Sequence, residues 1–344
     1  MFSRPASQSV AAALLALAAA CFAPGGALAQ TPERGTAPRA QQSEDCDRAC
    51  LREMLDAYLN AVVKHDPSAA PLWTAFRQTE NAVVVRRGTG VWSSVTGLGR
   101  LQRRYFDPVT GQALYLGTVE EAGGPAIAAV RVRVAGREIR EAEWYIARNG
   151  APGMNGPPAA GRRGAPFDVE NFVANAPPER VVPSGQRAPR DVLLAVTNSY
   201  FDGITTHDGR IIMEQPDCSR VENGIFTAGK HIAPPGGGAP RDTNCGTGLE
   251  HMNIQAVVGR RFPLVDEEAQ VVLGMAVFIR KPGTMTRRNT FAELFVIDDK
   301  KINRVYATMF YPPPEQLVPN WPPYEGHWSL PAQFFAPSPK AGGG

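Results

Sequence analysis

The chain states much the same pattern twice. Tyr58-Leu-Asn-Ala-Val-Val-Lys-His65-Asp66 is matched by Tyr200-Phe-Asp-Gly-Ile-Thr-Thr-His207-Asp208. Glu80-Asn81 is then matched by Glu222-Asn223, and all these landmarks keep one offset of 142 residues (58 to 200, 65 to 207, 80 to 222). Farther on, Arg103-Arg104-Tyr105 is matched by Arg260-Arg261-Phe262 at an offset of 157, which assigns 15 additional residues to the second copy. Landmarks that hold one offset without a gap predict an internal duplication, and a chain built of two copies folds as two compact units rather than one large one.

Within each copy the periodicity changes from helical to strand-like. Leu51 to Val63 repeats apolar residues at helical spacing, and Asp191 to Thr205 does the same in the second copy. Shorter helical turns are expected over Pro71 to Phe76 and near Ile211 to Glu214. Strands are expected over Ala82–Val85, Ala113–Val119, Ala126–Val134 and Glu138–Ala147. Their counterparts are Ser219–Thr227, Met252–Val258, Ala269–Ile279, Thr290–Ile297 and Arg304–Tyr311. Residues 149–189, rich in Pro, Gly, Ala and Arg, read as a linker that is at least partly disordered, and Pro234 to Asn244 as a loop. One long helix, a short one and a curved antiparallel sheet make a cone with a pocket between helix and sheet. The predicted class is α+β, with two such cones packed as an intramolecular pseudo-dimer. The domains are then 46–148 and 190–312, with an irregular tail over 313–344 whose Trp321, Tyr324, Trp328 and Phe334 dock on the surface.

Residues 1–29 carry Arg4, an apolar stretch from Val10 to Cys21 and an Ala27-Leu28-Ala29 site, the pattern of a cleaved secretory signal. Residues 30–45 read as a disordered leader. A periplasmic or secreted location follows, with no membrane span. The formal net charge of +3 falls to +2 without Arg4, and a near-neutral chain lacking a basic block offers no footprint for nucleic acid. The remaining Cys46, Cys50, Cys218 and Cys245 are an even set, which in an exported chain reads as two disulfides. Cys46 and Cys50 are near enough to pair locally, leaving Cys218 and Cys245 to close the added segment of the second copy. A zinc site with His231 or His251 does not fit the spacing. No phosphate-binding loop, nucleotide fingerprint or nucleophile elbow is present, so no cofactor is expected.

The helix from Tyr200 to Asp208, a carboxylate at Glu222 where the first strand begins, and Glu293 within Phe291-Ala-Glu-Leu-Phe295 resemble the NTF2-like superfamily, which includes SnoaL-like cyclases, scytalone dehydratase and ketosteroid isomerase. Arg220-Val-Glu-Asn-Gly224, Arg261-Phe-Pro-Leu-Val-Asp266 and Ala292-Glu-Leu-Phe295 resemble exported bacterial and fungal members of that superfamily. The resemblance implies cone domains, with Glu222 where a general base sits and Glu293 where a protonated acid sits.

The residues support that chemistry by themselves. Strand alternation places Phe291, Glu293, Phe295 and Ile297 on one face and Ala292, Leu294 and Val296 on the other. A carboxyl between two phenylalanines loses hydration and keeps its proton. Glu222 in a different environment can then act as base while Tyr200 and Glu293 donate to a developing oxyanion. Asn223, His251, Phe291, Phe295 and Tyr306 are the candidate substrate contacts. Tyr200 is equally readable as a core tyrosine. Glu222-Asn223 can serve a structural turn, because both copies keep it. Glu293 can pair with Arg220, Arg261 or Arg280. His65 and His207 are expected to cap their helices. Only the second copy has an acid on the strand in question, Arg131-Val-Arg133 being the counterpart in the first, so any active pocket belongs there.

The expected function is therefore that of an exported protein whose second domain holds a pocket for a small apolar oxygenated molecule. One reading is a cofactor-independent isomerase, dehydratase or cyclase. The other is a non-catalytic ligand-binding or assembly protein, with a hydrolase using Glu222 or Asp217 as a weaker third.

Overall fold

The computed structural model describes residues 46–160, 163–233, 238–283, 287–316 and residue 319. The signal sequence, the leader, most of the tail with its four aromatic residues, and part of the Pro234–Asn244 loop lie outside the described residues.

Helix α1 (Arg48–Val63) starts where Asp47 accepts the Cys50 amide at 2.9 Å, and it buries Leu51, Leu55, Tyr58, Leu59 and Val62 along one stripe. Strands β1 (Leu72–Glu80) and β2 (Val83–Val85) follow, then a short helix α2 (Val91–Ser94). Strands β3 (Val95–Asp107), β4 (Gln112–Glu121), β5 (Gly124–Ala135) and β6 (Glu138–Ala147) complete a six-stranded sheet in the order β2-β1-β6-β5-β4-β3. After α3 (Val169–Ala174) the arrangement recurs. Helix α4 (Arg190–Thr206) is followed by β7 (Glu214–Glu222), β8 (Ile225–Ala228), β9 (Ile254–Asp266), β10 (Val271–Arg280), β11 (Asn289–Asp298) and β12 (Lys301–Phe310). The second sheet runs β8-β7-β12-β11-β10-β9, the same order six strands later. Each sheet is mixed, since β1 pairs with β6 and β7 with β12 in parallel and the other neighbours are antiparallel. The class is α+β with two tandem sheet-based units.

Three buried clusters account for the strand sequences. In one, α1 covers a face of the first sheet; in another, α4 covers a face of the second. The third draws on the opposite faces of both sheets, with Leu114, Leu116, Tyr105 and Tyr145 from the first and Leu273, Met275, Leu294 and Tyr306 from the second. Strands such as β4 and β10 are thus covered on both sides, which is why they read as continuous apolar runs instead of alternating.

Several sequence expectations change. Pro71–Phe76 is not helical: Leu72 onward is strand β1, paired in parallel with β6, and the only turn there is a 3-10 turn at Pro67–Ala69. Long-range pairing has overridden a weak local signal. The turn expected at Ile211–Glu214 is a 3-10 turn at Gly209–Ile211, with Glu214 already in β7. Strand β3 escaped the pattern because Gly97, Gly99 and two arginines interrupt it. Gly99 is needed there, since a Cβ would lie 2.2 Å from Thr118 Oγ1. Within the linker, Asp168 caps α3 through the Asn171 amide, and Phe172 is buried against Tyr306. The Arg103–Tyr105 and Arg260–Phe262 landmarks are not equivalent positions: Tyr105 faces the cluster shared by the sheets, whereas Phe262 stacks on Phe201 of α4 at 5.8 Å.

The histidines after α1 and α4 sit at positive φ, 56° for His65 and 58° for His207. Their rings bond carbonyls of other segments rather than of their own helix: Trp92 for His65, Leu249 and Ile254 for His207. This turn-locking role replaces the expected interaction with the helix dipole.

Candidate active site

The site is built on the helix-facing side of the second sheet. Residues two apart on a strand point the same way, so β7 presents Arg220 and Glu222 together, and β11 presents Phe291, Glu293 and Phe295, with both phenylalanines in the cluster under α4. Register sets four positions side by side: Glu222 on β7 opposes Ala307 on β12, Ala307 opposes Glu293, and Glu293 opposes Gly274 on β10. The row in the first sheet is Glu80, Trp144, Val130 and Tyr115. The counterpart of Glu293 is therefore Val130, next to the expected Arg131-Val-Arg133, and it is apolar. Where the first unit fills the row with Trp144 and Tyr115, the second has only Ala307 and Gly274 beside the acid. Trp144 donates to the Tyr58 hydroxyl at 2.8 Å, and Tyr58 donates to Gln78 at 2.8 Å, which closes the first unit's interior.

In the second unit Arg220 stands 142 residues after Gln78 and takes over the tyrosine. Its Nη1 donates to the Tyr200 hydroxyl at 2.8 Å, and its Nε lies 2.9 Å from Glu222 Oε1 and also donates to Thr227. Burial works against the Arg220 charge, but Tyr200 and Glu222 outweigh it and hold the guanidinium protonated. Burial likewise pushes Tyr200 up, with Arg220 opposing, so the phenol keeps its proton.

Glu293 is wholly buried, and neither carboxyl oxygen has a hydrogen-bond partner. Burial, reinforced by Glu222 and opposed by Arg220, pushes it up to about 8. At neutral pH it is a neutral acid with a proton to give.

Tyr200, Glu222, Glu293, Phe291 and Phe295 thus share one side of the sheet. Three other candidates do not join them as substrate contacts. Asn223, buried at φ 46°, donates to the Met309 carbonyl at 3.1 Å and accepts the Met309 amide at 2.7 Å, locking β7 to β12. Asn81 accepts the Ile146 amide in the same way, so the repeated Glu-Asn pair includes one structural residue. Tyr306 points to the opposite face, where its hydroxyl donates to the Ala176 carbonyl. His251 is exposed beside Glu250. Arg220 as holder of both Tyr200 and Glu222 was not assigned from sequence, nor were Arg280, Asn289 and Tyr311 on the same side; counting strand parity from Glu293 and Phe278 would have found them.

The four cysteines form the disulfides Cys46–Cys50 and Cys218–Cys245. Glu214 lies beside the second, but with the sulfurs joined that group offers no thiolates to a metal. Glu214 also faces an open cleft of about 850 Å³ at the end of α4, lined by His207, Asp208, Asn244 and Glu250 among others. Burial pushes Glu214 up to about 7, and its carboxyl accepts the Gly246 amide at 3.1 Å. No residue of the Glu293 row lines this cleft.

A family model described as a domain of unknown function (DUF8021) matches residues 186–309, the unit that carries Glu293. No curated protein matches. Among solved structures, the chain is similar to AusH from Aspergillus nidulans (13% identity, TM-score 0.26, 36% of this chain and 86% of that one). It is also similar to a protein of unknown function with a cystatin-like fold from Methylobium petroleophilum (16%, 0.26, 41% and 83%). A third similarity is to a proposed ketosteroid isomerase from Kribbella flavida (14%, 0.23, 42% and 93%). At these scores no residue role is carried across. Among the described residues no helix is long and apolar enough to cross a membrane.

Proposed function

We propose that the chain is an exported tandem pair of NTF2-like cones, packed as a pseudo-dimer, whose second domain (190–312) transfers protons on a small apolar oxygenated molecule without a cofactor. The observation that carries this reading is Glu293: a buried acid with both oxygens unpartnered, protonated at neutral pH, one strand pair away from Glu222. A native fold leaves such a group without partners when a ligand supplies them.

In this reading Glu222, the carboxylate paired with Arg220, takes a proton from the carbon beside a carbonyl. Glu293 and Tyr200 hydrogen-bond the carbonyl oxygen as the C–H electrons move into the enolate. Return of the proton from Glu222 to a different carbon gives an isomer; loss of a β-hydroxyl instead gives dehydration. The first domain, whose row is filled by Trp144 and Tyr115, is a scaffold.

The test is solvent exchange. Apolar ketones and enones are incubated with the protein in deuterated water and their α-protons followed by NMR. Exchange in the wild type that Glu222→Gln and Glu293→Gln each reduce by about 10²-fold or more supports the reading; exchange unaffected by both sinks it. A second reading is favoured by one contact, the 2.9 Å Arg220–Glu222 pair, which neutralises the base. It makes the domain a ligand-binding module, and binding without exchange would select it.

A further inference from the structure

Resting on that reading of the site, a second unsatisfied group on the same face specifies the ligand further. Arg280, the last residue of β10, has the parity of Gly274 and Phe278, so it leaves the sheet on the helix-facing side. Its guanidinium donates to Asn289 at 2.5 Å and lies 5.7 Å from the centre of the Phe278 ring. Its Nε is buried without a hydrogen-bond partner, and no carboxylate among the described residues is within ion-pair distance. Burial lowers its proton affinity, with Tyr311 and Glu222 opposing. A half-desolvated guanidinium lacking a counter-ion is costly, and an anion seated on it removes that cost.

The spacing to Glu293 sets the ligand's length. Asn289, which holds the guanidinium, and Glu293 both lie on β11, four residues apart, about 13 Å at roughly 3.3 Å per residue. Phe291 stands between them on the same face, flanked by Phe278 at 4.5 Å between ring centres. One end of this strip is cationic, the other a neutral acid, and the middle is aromatic. We infer that the ligand is an elongated apolar oxo acid, its carboxylate on Arg280 and its carbonyl oxygen on Glu293.

The experiment is calorimetric titration of the full chain with benzoylvalerate and with its methyl ester, in wild type, Arg280→Met and Glu293→Gln. The acid should bind the wild type about tenfold or more tighter than the ester. Arg280→Met should bring the acid down to the ester's affinity and leave the ester unchanged, while Glu293→Gln weakens both. Equal affinity of acid and ester in the wild type overturns this inference alone, as does an Arg280→Met that weakens both alike. Binding of neither probe to the wild type overturns the pocket reading with it. Should Arg280→Met not fold, Arg280→Gln, which keeps a donor for Asn289, must show the same loss of acid preference.

Discussion

Arg48 and Asp266, one at the start of α1 and the other at the end of β9, are joined by two parallel hydrogen bonds of 2.9 Å. Arg190, at the start of α4, makes the same fork to Asp107 at the end of β3, at 3.0 and 2.6 Å. The arginines are 142 residues apart (48 to 190), the offset of the repeated tyrosines. Each aspartate also accepts an amide from the other unit's strand: Asp266 from Phe106 and Asp107 from Val265. Each helix is therefore pinned to the sheet it does not cover.

Breaking one fork should unfold both units together. Asp266 is fully buried, and its loss strands the Phe106, Glu268 and Ala269 amides as well as Arg48. Asp266→Ala is expected to cost about 3–5 kcal/mol in denaturant unfolding, with a single cooperative transition at a lower midpoint. Two separated transitions, one unchanged, would show that the units do not depend on each other.

Glu293 should leave a mark on stability against pH. The folded chain holds its proton to about 8, whereas an unfolded glutamate releases it near 4.5. Below the lower value both states are protonated and the residue contributes no slope. Between the two, the folded state binds a proton that the unfolded state lacks, so stability falls as pH rises, by up to roughly 1.4 kcal/mol per pH unit. Glu293→Gln removes this slope, and its melting temperature should gain on the wild type from about pH 5 to about pH 9. Glu214, raised to about 7, adds a slope of the same sign, so Glu214→Gln is the control. Parallel wild-type and Glu293→Gln profiles would mean that Glu293 ionises normally.

Much of this arrangement was legible before the structure. The 142-residue offset found both helices and the tyrosines on them, because a helix stripe is a local pattern. The two faces of β11 followed from period-two alternation, and both cysteine pairs from their number and spacing. What escaped depends on distant partners. Leu72–Glu80 is a strand because β6 lies beside it, and Tyr306 faces away from Glu293 because strand parity is set by register with β11. Asn223 looked like a ligand contact, yet its side chain substitutes for a missing rung between β7 and β12. A bulged, glycine-interrupted strand such as β3 carries no clear period, so the repeat there was aligned two residues out of phase.

The difference between the two interiors predicts opposite responses to matched substitutions. Trp144 is fully buried and donates to Tyr58, so Trp144→Ala should cost about 3–5 kcal/mol and leave a cavity in the first unit. The reverse change, Ala307→Trp, would place an indole against Glu293; it should abolish ligand binding while the disulfides and the first unit remain intact. Gly274 allows still less, since its Cβ would lie 2.9 Å from Phe295 Cε2 and 3.1 Å from Phe201 Cζ, and Gly274→Ala should cost about 1–3 kcal/mol. Calorimetric melting checks all three, and a tolerated Ala307→Trp that still binds ligand would place the site elsewhere.

The disulfides should contribute unequally. Cys218–Cys245 spans 27 residues and Cys46–Cys50 only 4. The entropy lost by the unfolded chain grows with the loop closed, which assigns about 3 kcal/mol to the longer bridge. Arg220 also reaches the Cys245 carbonyl at 3.5 Å, so the bridge steadies the segment behind the Tyr200–Arg220–Glu222 group. Replacing Cys218 and Cys245 by alanine should therefore lower the unfolding free energy by about that amount and weaken ligand binding at Glu293 as well. The Cys46/Cys50 double alanine should do neither to a comparable degree. Equal stability losses from the two pairs, with binding untouched in both, would detach the long bridge from the site.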